Sequence, residues 1–190
     1  RPSLLGVEFC GERLDAVVPR MPALVRDVAA AGIRCAARHL TDAVSQARVW
    51  HVRESSLGLS MGSTMALWAA ALQPAIAGCV ELCGAAEYQA LLDSGGFDGH
   101  GEYFFVPGLL RAFTLAEIAA LIAPRPHLSL AGRADPLTPP AGLASLDREL
   151  RKAYAALGAP NAWHQLVEHG GHAETPTMRA QVLAWLDRIA

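Results

Sequence analysis

Residues 58–62 read Gly-Leu-Ser-Met-Gly, a GxSxG string. Such a string suits a sharp turn from a strand into a helix. The serine stands at the tip in a strained conformation, and glycines two residues to either side avoid collision with the turn. Ser60 is then a candidate nucleophile. The helix after it aims the positive end of its dipole at the site, and the amide of Met61 is placed to donate to an oxyanion. A serine hydroxyl is a poor nucleophile at neutral pH and needs a base.

Seven histidines are available, at 39, 51, 100, 127, 164, 169 and 172. His172 lies in Glu168-His-Gly-Gly-His-Ala-Glu174, between a strand pattern and the last helix pattern, where a base could face the serine. His169 is the second candidate. His127 and His164 fall at or inside strands and read as structural. The third group of such a site holds the imidazole tautomer and stabilises its cation. Asp135, in Gly132-Arg-Ala-Asp-Pro136, follows a strand and takes that role. The chain order Ser60, Asp135, His172 is that of α/β-hydrolases and differs from the chymotrypsin and subtilisin orders.

Positioning these groups requires a sheet whose carboxyl edge collects them. Short apolar runs alternate with helical patterns from residue 57 onward, which predicts a mostly parallel sheet flanked by helices, an α/β fold. Helices are expected over 63–72, 115–122 and 143–157. Thr175 is expected to cap a final helix, with Pro176 in its first turn and Met178, Val182, Trp185, Leu186 and Ile189 on its buried stripe. Strands are expected over 77–82, 127–131 and 163–168. The segment 85–113, rich in aromatics and glycine, reads as a small cap-like insertion over the site. In it His100, Tyr103 and Phe104, together with Leu137 after the acid loop, are candidate substrate-pocket residues. Before residue 57 the periodicity is poor; a helix over 22–31 and a strand over 48–52 are the readable pieces.

Residues 57–190 resemble the α/β-hydrolase superfamily, and most closely its dienelactone-hydrolase and acetyl-xylan-esterase-like branch. The pieces that carry the resemblance are GLSMGSTMALWAAAL, LIAPRPHLSLAGRADPLTP and EHGGHAETP, with the Ala-Pro-Arg-Pro of 123–126 and the Tyr-Phe-Phe-Val-Pro-Gly-Leu-Leu-Arg of 103–111 as more specific touches. The resemblance implies Ser60 as nucleophile, Asp135 as acid, His172 as base and ester hydrolysis through an acyl-enzyme, with no cofactor and no metal. The sequence departs from the family in two places. Arg53-Glu-Ser-Ser56 stands where a buried strand should enter the elbow. Only 59 residues precede Ser60, with no His-Gly-Gly-type loop among them to supply a second oxyanion donor. The string RPSLLGVEF at 1–9 resembles a stretch these enzymes carry well after that loop. The expectation is a single domain over 1–190 with the N-terminal part of the sheet absent and residues up to 57 poorly matched.

Composition narrows the classes. The chain has 190 residues, 52% of them hydrophobic, enough for one real core. A net charge of −2 gives no reason to bind nucleic acid or anionic membranes, and no apolar run is long enough to span a bilayer. The four cysteines, at 10, 35, 79 and 83, form no CxxC pair; as reduced thiols they favour the cytoplasm. The expected partner is a small-molecule ester. The contrasting reading is a non-catalytic α/β-hydrolase-like remnant or binding module without a complete oxyanion hole. Metal-dependent hydrolysis through His164, His169 and His172 lacks a HExxH helix and carboxylates beyond Glu168 and Glu174. A Ser–Lys mechanism would need Lys152, the only lysine, which falls on the outer face of a helix.

Overall fold

The computed structural model describes residues 55–100 and 108–189. The helix expected over 22–31, the strand over 48–52, and Tyr103 and Phe104 lie outside the described residues. Four parallel strands form one sheet in the order β1 (Ser55–Leu59), β2 (Gly78–Leu82), β3 (His127–Gly132) and β4 (Trp163–Glu168). Consecutive parallel strands need crossovers, and helices supply them. The crossovers contain α1 (Met61–Leu72), then α2 (Tyr88–Ser94) with α3 (Leu115–Ala119), then α4 (Pro140–Ala156). The final helix, α5 (Pro176–Ile189), comes after β4.

The two faces of the sheet are covered differently. On one, α1, α3 and α4 bury Leu67, Ala70, Ile118, Leu143, Leu146, Leu150 and Tyr154 in the larger core. On the other, α5 sets Met178, Val182 and Trp185 against Val80, Leu82, Leu128 and Leu130, with Leu186 and Ile189 packed at the edge. Each Val, Leu, Ile or Met among them contributes about 1.5–3 kcal/mol on full burial. Leu57 and Leu59 are register partners of Val80 and Leu82 and share that second face. They remain 52% and 47% exposed, because the smaller core centres on β2 and β3.

Local chemistry fixes the helix ends. Thr114 and Glu117 form a reciprocal capping box that starts α3. Thr175 Oγ1 accepts from the Met178 amide at 3.1 Å and starts α5. Arg125, in the Ala-Pro-Arg-Pro string, is a tie between elements. Its guanidinium donates to the carbonyls of Ala70, Gln73, Ile76, Leu121 and Ile122, satisfying acceptors where α1 and the turn after α3 run out. The Ala123–Pro124 peptide in the same string is cis. The ends of the 85–113 stretch enter the main core: Tyr88, Leu91, Leu109 and Phe113 are buried there.

Two boundary expectations need correction. Helix α1 begins at Met61, immediately after the serine, two residues before the expected start. Ser55 and Ser56 do not interrupt the strand entering the elbow; both belong to β1. The strand tolerates them because it is only half-buried and because Ser56 Oγ donates to the Ala66 carbonyl at 2.9 Å across to α1. No helix among the described residues is long and apolar enough to cross a membrane.

Candidate active site

Ser60 sits between β1 and α1 with φ 56° and ψ −119°, a conformation that L residues avoid. Hydrogen bonds hold it there. The Ser60 amide donates to Leu82 O at 2.8 Å, tying the turn to the end of β2, and the Ser60 carbonyl accepts from the amides of Ser63 and Thr64. The two glycines of the string do different work. A Cβ on Gly58 would lie 1.9 Å from Gly62 O, so Gly58 is required by close approach. A Cβ on Gly62 would meet nothing within 4 Å, which corrects the expectation that both glycines are sterically obligatory.

His172 rides on the loop between β4 and α5. The amides of Arg133 and Ala134 donate to Glu168 O and Gly170 O, drawing that loop over the end of β3. The approach is close enough that a Cβ on Gly132 would lie 2.3 Å from Gly171 O. His172 Nε2 lies 2.7 Å from Ser60 Oγ, and its Nδ1 lies 2.8 Å from Asp135 Oδ2. A carboxylate only accepts, so Nδ1 carries the proton and Nε2 accepts from the serine hydroxyl. Asp135 is buried, and its second oxygen, Oδ1, accepts from the Leu137 amide at 2.9 Å. The His172 side chain keeps 28% of its surface open. His169, the other candidate base, is exposed on the same loop and makes no such bridge.

Met61 comes after the serine at the first position of α1, where helix amides lack intrahelical partners. His100 and Leu137 come together: a ring nitrogen of His100 lies 3.1 Å from Leu137 O and donates to it. Burial holds the His100 imidazole below its ordinary value. The bond to Leu137 O and the charge of Asp135 oppose that shift, while His172 adds to it. His100 therefore borders the Asp135–His172 pair electrostatically. Lys152 is exposed on α4, where its ammonium pairs with Glu149.

Three features of the site carry no signal in the sequence: the Leu137 amide on Asp135, the closeness enforced at Gly132, and Cys83. The last comes after β2 in the left-handed region at φ 52°, with its thiol against Ala173 O at 3.7 Å. Among the described residues two groups bring metal-type donor atoms within 4.8 Å of one another: Cys79, Glu81 and His127 in the core, and Cys83, Asp135 and His172 here. Burial, and then the charge of Asp135, push the Cys83 thiol up.

A parallel sheet with helices on both faces, carrying a serine elbow after β1, an aspartate after β3 and a histidine after β4, has the α/β-hydrolase fold. Over 136 residues the chain is 40% identical to a protein of Bacillus subtilis (strain 168) named putative hydrolase YtaP, covering 72% of this chain and 46% of that protein. Among solved structures it is similar to a glucuronoyl esterase from Solibacter usitatus, with a TM-score of 0.62, 16% identity, and coverage of 84% of this chain and 48% of that one. A promiscuous CE15 esterase from a marine bacterial metagenome gives a TM-score of 0.60 at 18% identity, covering 86% and 48%. These structural likenesses show the fold. The chain spans about half the length of each of these relatives. No protein-family model matches it.

Proposed function

We infer that this chain is a serine hydrolase that cleaves carboxylic esters, with Ser60, His172 and Asp135 as its catalytic triad. The observation that carries the reading is the 2.7 Å contact between Ser60 Oγ and His172 Nε2 on a strained elbow, with Asp135 behind the imidazole. The names of the similar proteins, a hydrolase and two esterases, support the same class. The resemblance in sequence pieces favours the dienelactone-hydrolase and acetyl-xylan-esterase-like branch.

The geometry supports an acyl-enzyme route. Ser60 Oγ attacks the ester carbonyl carbon while its proton passes to His172 Nε2. The Met61 amide donates to the resulting oxyanion, and Asp135 stabilises the imidazolium through Nδ1–H. Collapse breaks the bond to the alkoxy oxygen, which takes the proton from Nε2 and leaves as the alcohol. Water then attacks the acyl-enzyme, again giving its proton to His172, and the acid and free serine result. No cofactor enters these steps. His100 and Leu137 are the described residues proposed to line a pocket for a small-molecule ester, and the cytoplasm is the proposed compartment.

The test is twofold. Turnover of p-nitrophenyl acetate is expected to vanish in Ser60→Ala, and a fluorophosphonate is expected to label the wild type at Ser60, one per chain. Folded protein that neither turns over the ester nor takes the label would reject the reading in favour of a hydrolase-like binding module.

A further inference from the structure

We propose that Cys83, Asp135 and His172 form a site for a soft divalent metal ion, Zn²⁺ or Cd²⁺, whose occupation switches the hydrolase off. The proposal rests on the triad reading above and concerns the regulation of that same site. Its basis is the donor set: one sulfur, one carboxylate oxygen and one imidazole nitrogen, all within 4.8 Å of one another.

The three donors come from separate places and are each held in position. Cys83 is fixed by its amide, which donates to Leu130 O at 2.8 Å, and its side chain is buried beneath the loop that carries His172. Asp135 is anchored through Oδ1 by the Leu137 amide, which leaves Oδ2 as the oxygen that faces His172. Metal–ligand bonds of about 2.0–2.3 Å at tetrahedral angles place donor atoms about 3.3–3.6 Å apart. Reaching that arrangement asks the Nδ1–Oδ2 contact of 2.8 Å to open slightly, with the Cys83 sulfur already within 4.8 Å of both donors. His172 is the one donor of the three with its side chain partly open, at 28%, and is the side from which the proposed ion and a water as fourth ligand would enter. The other donor cluster, Cys79 with Glu81 and His127, is sealed at 0% exposure and offers no such entry.

The donor chemistry selects the ion and sets the effect of its binding. Thiolate and imidazole together favour zinc and cadmium over magnesium and calcium. Binding replaces the thiol proton of Cys83, which is released to solvent. Binding at His172 Nδ1 displaces the proton held there, which moves to Nε2. One proton is therefore lost per ion bound. With a proton on Nε2, the imidazole donates to Ser60 Oγ and has no lone pair to accept the serine proton. The base is disabled by its tautomer, with the nucleophile, pocket and fold left intact.

The experiment adds Cd²⁺ or Zn²⁺, with Mg²⁺ as control, to the full chain. Ester turnover is followed in wild type and in Cys83→Ala, each normalised to its own rate without metal. Binding is read separately, by the ultraviolet charge-transfer band of cadmium thiolate, in Ser60→Ala and in Ser60→Ala/Cys83→Ala. Inhibition by Cd²⁺ and Zn²⁺ but not Mg²⁺ is expected, weakened by at least about tenfold in Cys83→Ala. A Cys83-dependent band at one ion per chain is expected in the inactive Ser60→Ala protein. Equal inhibition of wild type and Cys83→Ala, or no Cys83-dependent band, would overturn the proposal. A chain without any ester turnover would defeat the triad reading, while the binding arm would still decide the metal site.

Discussion

The amide of Leu137 donates to Asp135 Oδ1 at 2.9 Å, and this leaves Asp135 Oδ2 facing His172 at 2.8 Å. The carboxylate's two oxygens thus have fixed and different partners. In Asp135→Asn the amide oxygen must take the Leu137 N–H, so the NH₂ group faces Nδ1 and donates to it. Nδ1 then carries no proton, Nε2 does, and the base is lost. A fall in kcat of about 10⁴-fold is expected with a native far-UV spectrum. Steady-state kinetics on p-nitrophenyl acetate check it, and a loss below tenfold would show that Asp135 does not set the tautomer.

The elbow glycines are expected to behave unequally. Gly58→Ala forces a Cβ to within 1.9 Å of backbone at Gly62 and should cost about 1–3 kcal/mol or more. Gly62→Ala meets open space inside α1 and should stabilise by up to about 1 kcal/mol. Urea midpoints of the two variants against wild type measure the difference; equal effects would contradict the turn geometry.

How much of this is visible in the sequence depends on the range of the interaction. Three of the four strands and the long helices announce themselves through local periodicity, while β1 does not, and Thr175 marks a helix start through a cap that acts over three residues. The letters of the proposed triad are legible because the elbow is a local motif and because Asp135 and His172 come after strand patterns. The features that escape sequence reading involve long-range partners. Ser56 reads as a strand breaker until Ala66 O is seen to accept its hydroxyl. Gly132 reads as an ordinary strand end, although the loop at 170–171 presses against it. Cys83 reads as a buried thiol, and only the fold brings Asp135 and Ala173 beside it.

His100 gives the pH dependence a definite sign. Its folded-state pKa is lowered, chiefly by burial, whereas the unfolded imidazole titrates near about 6.5. Acidification through that value protonates the unfolded chain first and so lowers stability; above it both states are neutral and the group contributes no slope. His100→Gln can keep a donor toward Leu137 O while removing the titration. The urea midpoint of wild type should fall more steeply than that of His100→Gln between about pH 7.5 and 5.5. Parallel slopes would show that His100 is not the residue responsible.

Arg125 should be among the costliest single losses. Five carbonyls, from the end of α1, the turn after it and the segment after α3, converge on one guanidinium, and Tyr154 Oη donates to the Arg125 carbonyl at 3.0 Å from α4. Arg125→Ala strips acceptors that bulk water reaches poorly, at a cost of about 3 kcal/mol. Arg125→Lys restores the charge without the planar fork and should recover only part of it. Chemical denaturation of both variants checks the order; a full recovery in Arg125→Lys would indicate that the fork geometry matters less than the charge.

The buried pair Glu81–His127 tests the core beneath the elbow. Cys79 and His127 are register partners, as are Glu81 and Ser129, so four polar or ionisable side chains share one face of β2 and β3 at 0% exposure. Glu81 Oε1 and His127 Nε2 bond to each other, while Glu81 Oε2, His127 Nδ1 and Ser129 Oγ have no partner among the described residues. His127 also stacks edge-on against Trp163 with ring centroids 4.7 Å apart. Removing one member strands the other in an apolar interior, so Glu81→Leu and His127→Phe should each cost about 3–5 kcal/mol. The double variant removes both polar groups and keeps an aromatic ring against Trp163. It should be near neutral or more stable than wild type, so that the double-mutant cycle shows losses far from additive. Urea unfolding of the four proteins measures it. Additive losses would mean that the pair is not a coupled unit and that each side chain is held by the surrounding core on its own.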